Sequence, residues 1–155
     1  MAFDIRVIDI AAKDGGGEKR LVEQVRKLPN DYIAIVGCVL GGKNLRERSE
    51  QYDAIIIGPP GIFVLEAKNW KDSWHGDARF WWRGTERKPS PIATARRKWE
   101  FLKDWLRVEC GFFRGTGPSC WIDYGVVLTH PTVNTSFVTD GSKQKYLLSL
   151  SDVVD

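Results

Sequence analysis

The chain of 155 residues contains few of the residue types on which many catalytic and structural sites depend. It has three cysteines, two histidines and one methionine, and no two cysteines form a Cys-x-x-Cys pair. This usage argues against a disulfide framework and a cysteine-based zinc site, and it favours a reducing, cytoplasmic compartment. No apolar run approaches the roughly 20 residues of a membrane span. Acidic residues interrupt the short apolar run near the N-terminus, so no secretory signal is predicted either.

Motifs for several enzyme classes are absent as well. The run Gly15-Gly16-Gly17 lacks the Lys-Ser/Thr of a phosphate-binding loop, and no Gly-x-Ser-x-Gly sequence occurs. Neither a nucleoside triphosphatase nor an acyl transferase is therefore indicated. His75 and His130 have no partner at the spacing of a metal site, and we expect neither to be catalytic.

The chain does have ample apolar material and an uneven distribution of charge. Hydrophobic residues make up 43% of it, and its length suits one domain, expected over residues 1–155 with a core at about 17–150. The net charge is +3, yet nine basic and only three acidic residues lie within residues 79–107. Such a segment suits a polyanion such as nucleic acid, although a solvated helix face explains a basic run equally well.

Apolar periodicity predicts the order of the secondary structure. A short strand is expected at residues 3–10, a helix at 18–28, and a second long helix from Ser90-Pro91, where a capping serine precedes proline. Five further strands are expected, at residues 32–40, 54–57, 62–65, 121–129 and 146–150. Residues 69–88 form an aromatic, basic and irregular segment. The order helix, three strands, helix, strand predicts an α/β fold with a mixed sheet flanked by helices.

The segment at residues 52–70 is the most informative part of the chain. It consists of two short apolar strands joined by the four residues Gly58 to Gly61. If this loop is symmetric, Asp53 lies opposite Glu66, whereas a one-residue bulge would shift the register. Lys68 shares the face of Glu66 because side chains alternate along a strand.

Two facing carboxylates repel each other unless a cation or a proton lies between them. A hard divalent cation is the natural occupant, because Mg²⁺ binds one or two carboxylates and keeps waters for phosphate substrates. The alternative is that Asp53 and Glu66 are ordinary charges at strand ends in solvent. The lysine and the flanking apolar strands favour a Mg²⁺ or Mn²⁺ site.

Glu18 lies on the apolar face of the first helix, ahead of Leu21, Val22 and Val25. A carboxylate in the first turn is stabilised by the helix dipole, which explains its position without any catalytic role. The alternative is that this face turns Glu18 toward the sheet and the metal. The sequence leaves both interpretations open.

These residues together resemble the nuclease-related domain family, usually called NERD, over residues 17–129. The resemblance rests on Gly17-Glu18 at a helix start, the hairpin with Asp53, the Glu66-Ala67-Lys68 motif thirteen residues later, and the proline-initiated helix. The family is placed in the superfamily of PD-(D/E)xK nucleases. The resemblance therefore implies a restriction-endonuclease-like αβββαβ core.

The family pattern also implies roles for individual residues. Asp53 and Glu66 would bind the metal, with the Ala67 carbonyl and Glu18 as further ligands, and Lys68 would position or activate the attacking water. The family often has Asn-Pro followed by Gln at the start of the second long helix. Here residues 90–94 contain no glutamine, so the contact that it makes elsewhere is missing.

The expected function is a metal-dependent nuclease acting on nucleic acid, DNA rather than RNA. The alternative is an inactive module that binds nucleic acid or a partner protein. We expect Arg96, Arg97 and Lys98 to contact phosphates, because they lie off the apolar stripe of the second long helix. Trp81 and Trp82 cannot share one strand face, so one of them either stacks on a base or packs beneath the site. Residues 151–155 resemble the start of a capped helix, which predicts a further domain.

Overall fold

A computed structural model of the chain describes residues 7–9, 16–41, 48–111 and 120–154. Its strands are β1 (Val7–Asp9), β2 (Ile33–Gly41), β3 (Ser49–Gly58), β4 (Gly61–Lys68), β5 (Ser73–Gly76), β6 (Phe80–Arg83), β7 (Glu86–Pro89), β8 (Ile122–Leu128), β9 (Asn134–Val138) and β10 (Leu147–Ser149). Its helices are α1 (Gly16–Val25), α2 (Pro91–Val108) and the single turn α3 (Lys143–Tyr146), and a 3-10 turn covers Ser151–Val153. Of the strand expected at residues 3–10, residues 3–6 and 10 lie outside the described ranges, as does residue 155.

Six strands form a mixed sheet in the order β1-β2-β3-β4-β8-β10. The strands β2, β3 and β4 form an antiparallel run, whereas β8 runs parallel to β4 and β10 parallel to β8. A parallel pair needs a long crossover connection, and α2 lies within the one between β4 and β8. The predicted α/β class, with a mixed sheet flanked by helices, is confirmed, and α1, β2–β4, α2 and β8 form the αβββαβ core.

The segment at residues 69–88 is not irregular, and this part of the prediction is wrong. It contains β5, β6 and β7, which pair in sequence and are joined by β9 into a second sheet of order β7-β6-β5-β9. Each of the three strands has only four residues. Alternation over so few residues is a weak signal, which explains the error.

The two long helices cover opposite faces of the first sheet. Leu21 and Val25 of α1 pack on one face, and Phe101 and Leu102 of α2 pack on the other. The second sheet packs against the first half of α2 through a third cluster, in which Trp81 is fully buried. None of the helices in these described ranges is long and apolar enough to cross a membrane.

The start of α2 follows the prediction. Ser90 accepts a hydrogen bond from the backbone N–H of Ala93 at 3.3 Å, and Pro91 occupies the first turn. A second hydrogen bond, from the backbone N–H of Ser90 to the carbonyl of Arg79 at 2.8 Å, ties this cap to the second sheet. The cap therefore sets where α2 begins relative to the second sheet.

Candidate active site

The hairpin of β3 and β4 has the symmetric register predicted from the sequence. Gly58 pairs with Gly61, and the ladder continues without a shift to Ala54 and Leu65. Gly61 adopts a φ of 146°, which favours glycine. Beyond Ala54 and Leu65, the next residues along the two strands are Asp53 and Glu66. The regular ladder therefore brings the two carboxylates to the same end of the hairpin.

The side chains of β2 and β3 change faces next to Asp53. Val36 and Ala54 pair with each other and pack toward α1, whereas Cys38 and Tyr52 pair with each other and pack toward α2. Residues two apart in a regular strand share a face, so the alternation is interrupted between these pairs. Gly37 lies at the interruption with a φ of 64°, which a glycine adopts without strain.

Glu66 is buried between two lysines. It is 3% exposed, and its Oε1 accepts from Lys68 Nζ at 2.7 Å. Its Oε2 contacts the Nζ of Lys98, which reaches the site from α2. A buried carboxylate needs such partners because its desolvation is costly.

Lys98 was predicted to be exposed and to contact phosphates, and the predicted exposure is wrong. The residue is 8% exposed and belongs to the carboxylate site. The signal was present in the sequence, because Lys98 lies three residues after Ala95 and four before Leu102, on the buried stripe of α2. A charged residue on such a stripe indicates a buried partner.

Tyr52 fixes the position of Lys98 relative to the sheet. Its hydroxyl donates to the backbone carbonyl of Lys98 at 2.9 Å, and the whole side chain is buried. Burial raises the pKa of the Tyr52 phenol, so the group stays protonated and remains a donor. This contact connects β3 to α2 at the turn that carries the second lysine.

Asp53 is held at the edge of the same cluster. Its Oδ2 accepts from the backbone N–H of Ala67 at 2.8 Å. Burial, and then the negative charge of Glu66, raise the pKa of Asp53 to about 6, against the opposing effects of the Ala67 N–H, Lys98 and Lys68. The acid therefore holds a proton more tightly than an ordinary aspartate, as expected for a carboxylate facing another.

The donor set suits a hard divalent cation. Asp53 and Glu66 offer carboxylate oxygens on neighbouring strands, and Mg²⁺ binds through one or two carboxylates. Among the described residues, no group of three or more His, Cys, Asp or Glu side chains is arranged to hold a metal ion. Binding of a divalent cation therefore depends on the two carboxylates Asp53 and Glu66. A cation bound at Glu66 would balance part of the negative charge that the Lys98 ammonium balances in its absence.

Glu18 is not part of such a group with Asp53 and Glu66. It lies half-buried in the first turn of α1, and the neighbouring Gly17 packs against Asn69 and Thr129, just beyond the ends of β4 and β8. Arg20 strengthens this contact by donating to the carbonyl of Thr129 at 2.9 Å. The helix start is thus fixed at the strand ends, and the role of Glu18 stays a prediction.

Arg96 and Arg97 are exposed on α2, as predicted. Arg96 pairs with Glu100 at 3.2 Å within the helix. Arg97 pairs at 2.7 Å with Glu50 of β3, whose side chain is buried. Arg97 therefore has a structural contact in addition to any contact with a ligand.

Comparison with known proteins identifies the family of the chain. A family model described as the nuclease-related domain matches residues 13–129, which include the hairpin, α2 and β8. No curated protein and no solved structure matches the chain. Since the family model covers most of its length, the chain belongs to the nuclease-related domain family.

Proposed function

We propose that this domain is a nuclease that hydrolyses the phosphodiester bonds of DNA with Mg²⁺ or Mn²⁺ as cofactor. The observation that carries the proposal is the pair of carboxylates Asp53 and Glu66 with Lys68 in contact with Glu66, in a chain of a nuclease-related family. A domain that only binds a partner does not need two apposed acids, which destabilise the fold unless a cation or proton lies between them.

The proposed site residues have separate roles in hydrolysis. Asp53 and Glu66 would hold the metal, with the Ala67 carbonyl and Glu18 as further proposed ligands. A cation held there would supply an activated water and neutralise charge on the phosphoryl oxygens. Lys68, whose side chain is 25% exposed, reaches from Glu66 toward solvent, where its ammonium can orient the water and donate to a phosphate oxygen.

Lys98 and Tyr52 act on the substrate only through other residues. The Lys98 ammonium contacts one oxygen of Glu66 while Lys68 contacts the other, so the carboxylate is held in one orientation. Tyr52 holds the backbone of Lys98 against β3. We assign both as positioning residues that keep Glu66 preorganised.

Arg96 and Arg97 extend the proposed contact with the phosphate backbone. They are exposed next to Lys98 on α2, so DNA held at the carboxylate site would pass close to them. Within the part of the chain that the structure describes, no element resembles a module that reads base edges, so we expect phosphate charge to dominate affinity and sequence to matter little.

The test is a cleavage assay with Mn²⁺ on circular and linear, single-stranded and double-stranded DNA. Cleavage by the wild type that is lost in both Asp53→Ala and Lys68→Ala supports the proposal. Lys71→Ala is the matched control, because this exposed lysine lies just beyond β4 and should leave the rate unchanged. Cleavage that persists in Lys68→Ala would refute the assigned site.

One observation favours a second candidate, a binding module without catalysis. Both oxygens of Glu66 contact lysines, so the protein itself already balances this charge. Calorimetric titration of the wild type and Asp53→Ala with Mn²⁺ separates the two functions. Binding that disappears in the variant supports the nuclease, and absence of binding in both proteins supports the module.

A further inference from the structure

The second sheet has one buried face and one exposed face. Trp74, Trp81 and Val138 point inward and pack against α2 and β8. The outer face carries exposed planar side chains on all four strands, namely Phe80, Trp82, Arg87, His75 and Phe137. Trp82 is 40% exposed and Phe137 52%, so large aromatic surfaces face solvent. Exposed aromatic surface of this extent indicates a site that binds a ligand or partner, and does not indicate packing within the fold.

Four of these residues form a single row, called here the aromatic row, across the strands. Arg87 pairs with Trp82, Trp82 with His75, and His75 with Phe137. The ring centroids are 6.5 Å apart for Trp82 and His75 and 4.7 Å apart for His75 and Phe137, with 15° between the planes in each pair. The three rings therefore stand nearly parallel, with the exposed rings of Trp82 and Phe137 on either side of His75.

A positive charge is built into one end of the aromatic row. The guanidinium of Arg87 lies 3.8 Å from the ring centroid of Phe80, which sits beside the row. Among the described residues, no carboxylate lies within ion-pair distance of Arg87, whereas Arg83 and Lys88 on the same hairpin both pair with Glu86. Arg87 is thus available to an anionic ligand.

We propose that the aromatic row binds single-stranded nucleic acid, with bases stacked on Trp82 and Phe137 and a phosphate near Arg87. Every base has a π-face, and aromatic side chains beside a cationic group are the recurring means of binding single strands. In a duplex the bases are paired and stacked on each other, so they cannot reach these rings. The row should therefore prefer unpaired strands.

The composition of the aromatic row favours this ligand over an apolar protein surface. The row contains only planar side chains and no aliphatic one, and residues 79–88 carry four basic residues against the single acid Glu86. The row faces away from α2, whereas Glu66 lies between β4 and α2. Binding there does not require cleavage, so the inference goes beyond the proposed nuclease and can fail separately from it.

The experiment is a fluorescence-anisotropy titration of labelled oligothymidylate of about 16 nucleotides, a length typical of single-strand sites. EDTA is present so that no cleavage occurs, and the corresponding duplex is titrated in parallel. Trp82→Ala and Phe137→Ala should each weaken binding to the single strand about tenfold. Duplex binding should change less than about twofold, because duplex contacts are made chiefly through phosphates.

Three further variants separate stacking from other causes. Trp121→Ala removes a tryptophan that is 61% exposed outside the row, and it should bind like the wild type. Trp82→Phe should restore most of the affinity, whereas Trp82→Leu, which stays apolar but cannot stack, should be as weak as Trp82→Ala.

Three results would overturn the proposal. The first is an equal loss of affinity for oligothymidylate and for the duplex in the alanine variants of the aromatic row. The second is unchanged affinity in both alanine variants of the aromatic row. The third is full affinity in Trp82→Leu, which would identify a general apolar surface suited to a protein partner.

Discussion

Replacing Asp53 by asparagine should stabilise the metal-free protein, and the gain should grow with pH. The pKa of Asp53 is raised from 3.8 to about 6, chiefly by burial and then by Glu66. A raised pKa means that the folded state binds the proton more tightly than the unfolded state does. The stability that this proton confers is complete below pH 3.8 and is lost as the pH rises through about 6.

The size of the effect follows from the difference between the two pKa values. The difference between 3.8 and about 6 corresponds to about 3 kcal/mol at full ionisation. The asparagine side chain carries no charge at any pH, and its oxygen can still accept from the Ala67 N–H, as Asp53 does. The variant should therefore be up to about 3 kcal/mol more stable near pH 8, which is about 6–12 °C in melting temperature for a chain of this size.

The assay is urea and thermal unfolding in EDTA at about pH 4.5 and about pH 8. Asp31→Asn, which removes an exposed carboxylate from the turn after α1, controls for the change in net charge. Added Mn²⁺ should raise the melting temperature of the wild type more than that of the variant, because the cation binds the folded carboxylates. A variant less stable than the wild type near pH 8 would show that Asp53 does not face Glu66 in a buried site.

Three further predictions concern Glu66 and the lysines and arginines of the site. Glu66→Gln should weaken Mn²⁺ binding, whereas Lys68→Ala should keep Mn²⁺ bound and slow cleavage at least about 100-fold, as calorimetry and single-turnover kinetics would show. Lys98→Met should lower the free energy of unfolding by about 1–3 kcal/mol in urea, because Glu66 loses one buried partner. The same variant should bind Mn²⁺ more tightly, since the metal no longer competes with that ammonium. Arg96→Ala and Arg97→Ala should each reduce the slope of log affinity against log salt for duplex DNA by about 0.9.

The predictions on metal binding and on stability each have a contrary result. Equal Mn²⁺ affinities in the wild type and Glu66→Gln would remove Glu66 from the metal site. A Lys98→Met protein of unchanged stability would mean that Lys68 alone balances Glu66. For the salt slope, Lys27→Ala is the matched control, because Lys27 is exposed beyond the end of α1 and should leave the slope unchanged.

The parts of the fold that depend on neighbouring residues could be predicted from the sequence. The loop at residues 58–61 sets the hairpin register, because short antiparallel pairing is decided within about ten residues. The start of α2 follows from Ser90, whose side chain accepts a backbone hydrogen bond in the first turn, and from Pro91, whose ring suits the first helical position. The position of Asp53 and Glu66 at the same end of the hairpin is a consequence of that local register.

The burial of Lys98 and the second sheet were decided by tertiary structure. Lys98 meets Glu66 across 32 positions of sequence, and only the packing of α2 on the sheet brings them together. The strand β9 pairs with β5 about 60 residues earlier in the chain, so no local pattern at residues 73–76 shows that they belong to a sheet. Local propensity therefore determined the hairpin with its two carboxylates. Long-range packing decided that Lys98 helps to neutralise Glu66 and which aromatic rings face solvent. Both outcomes depend on surfaces that are distant in the sequence and meet only in the folded chain.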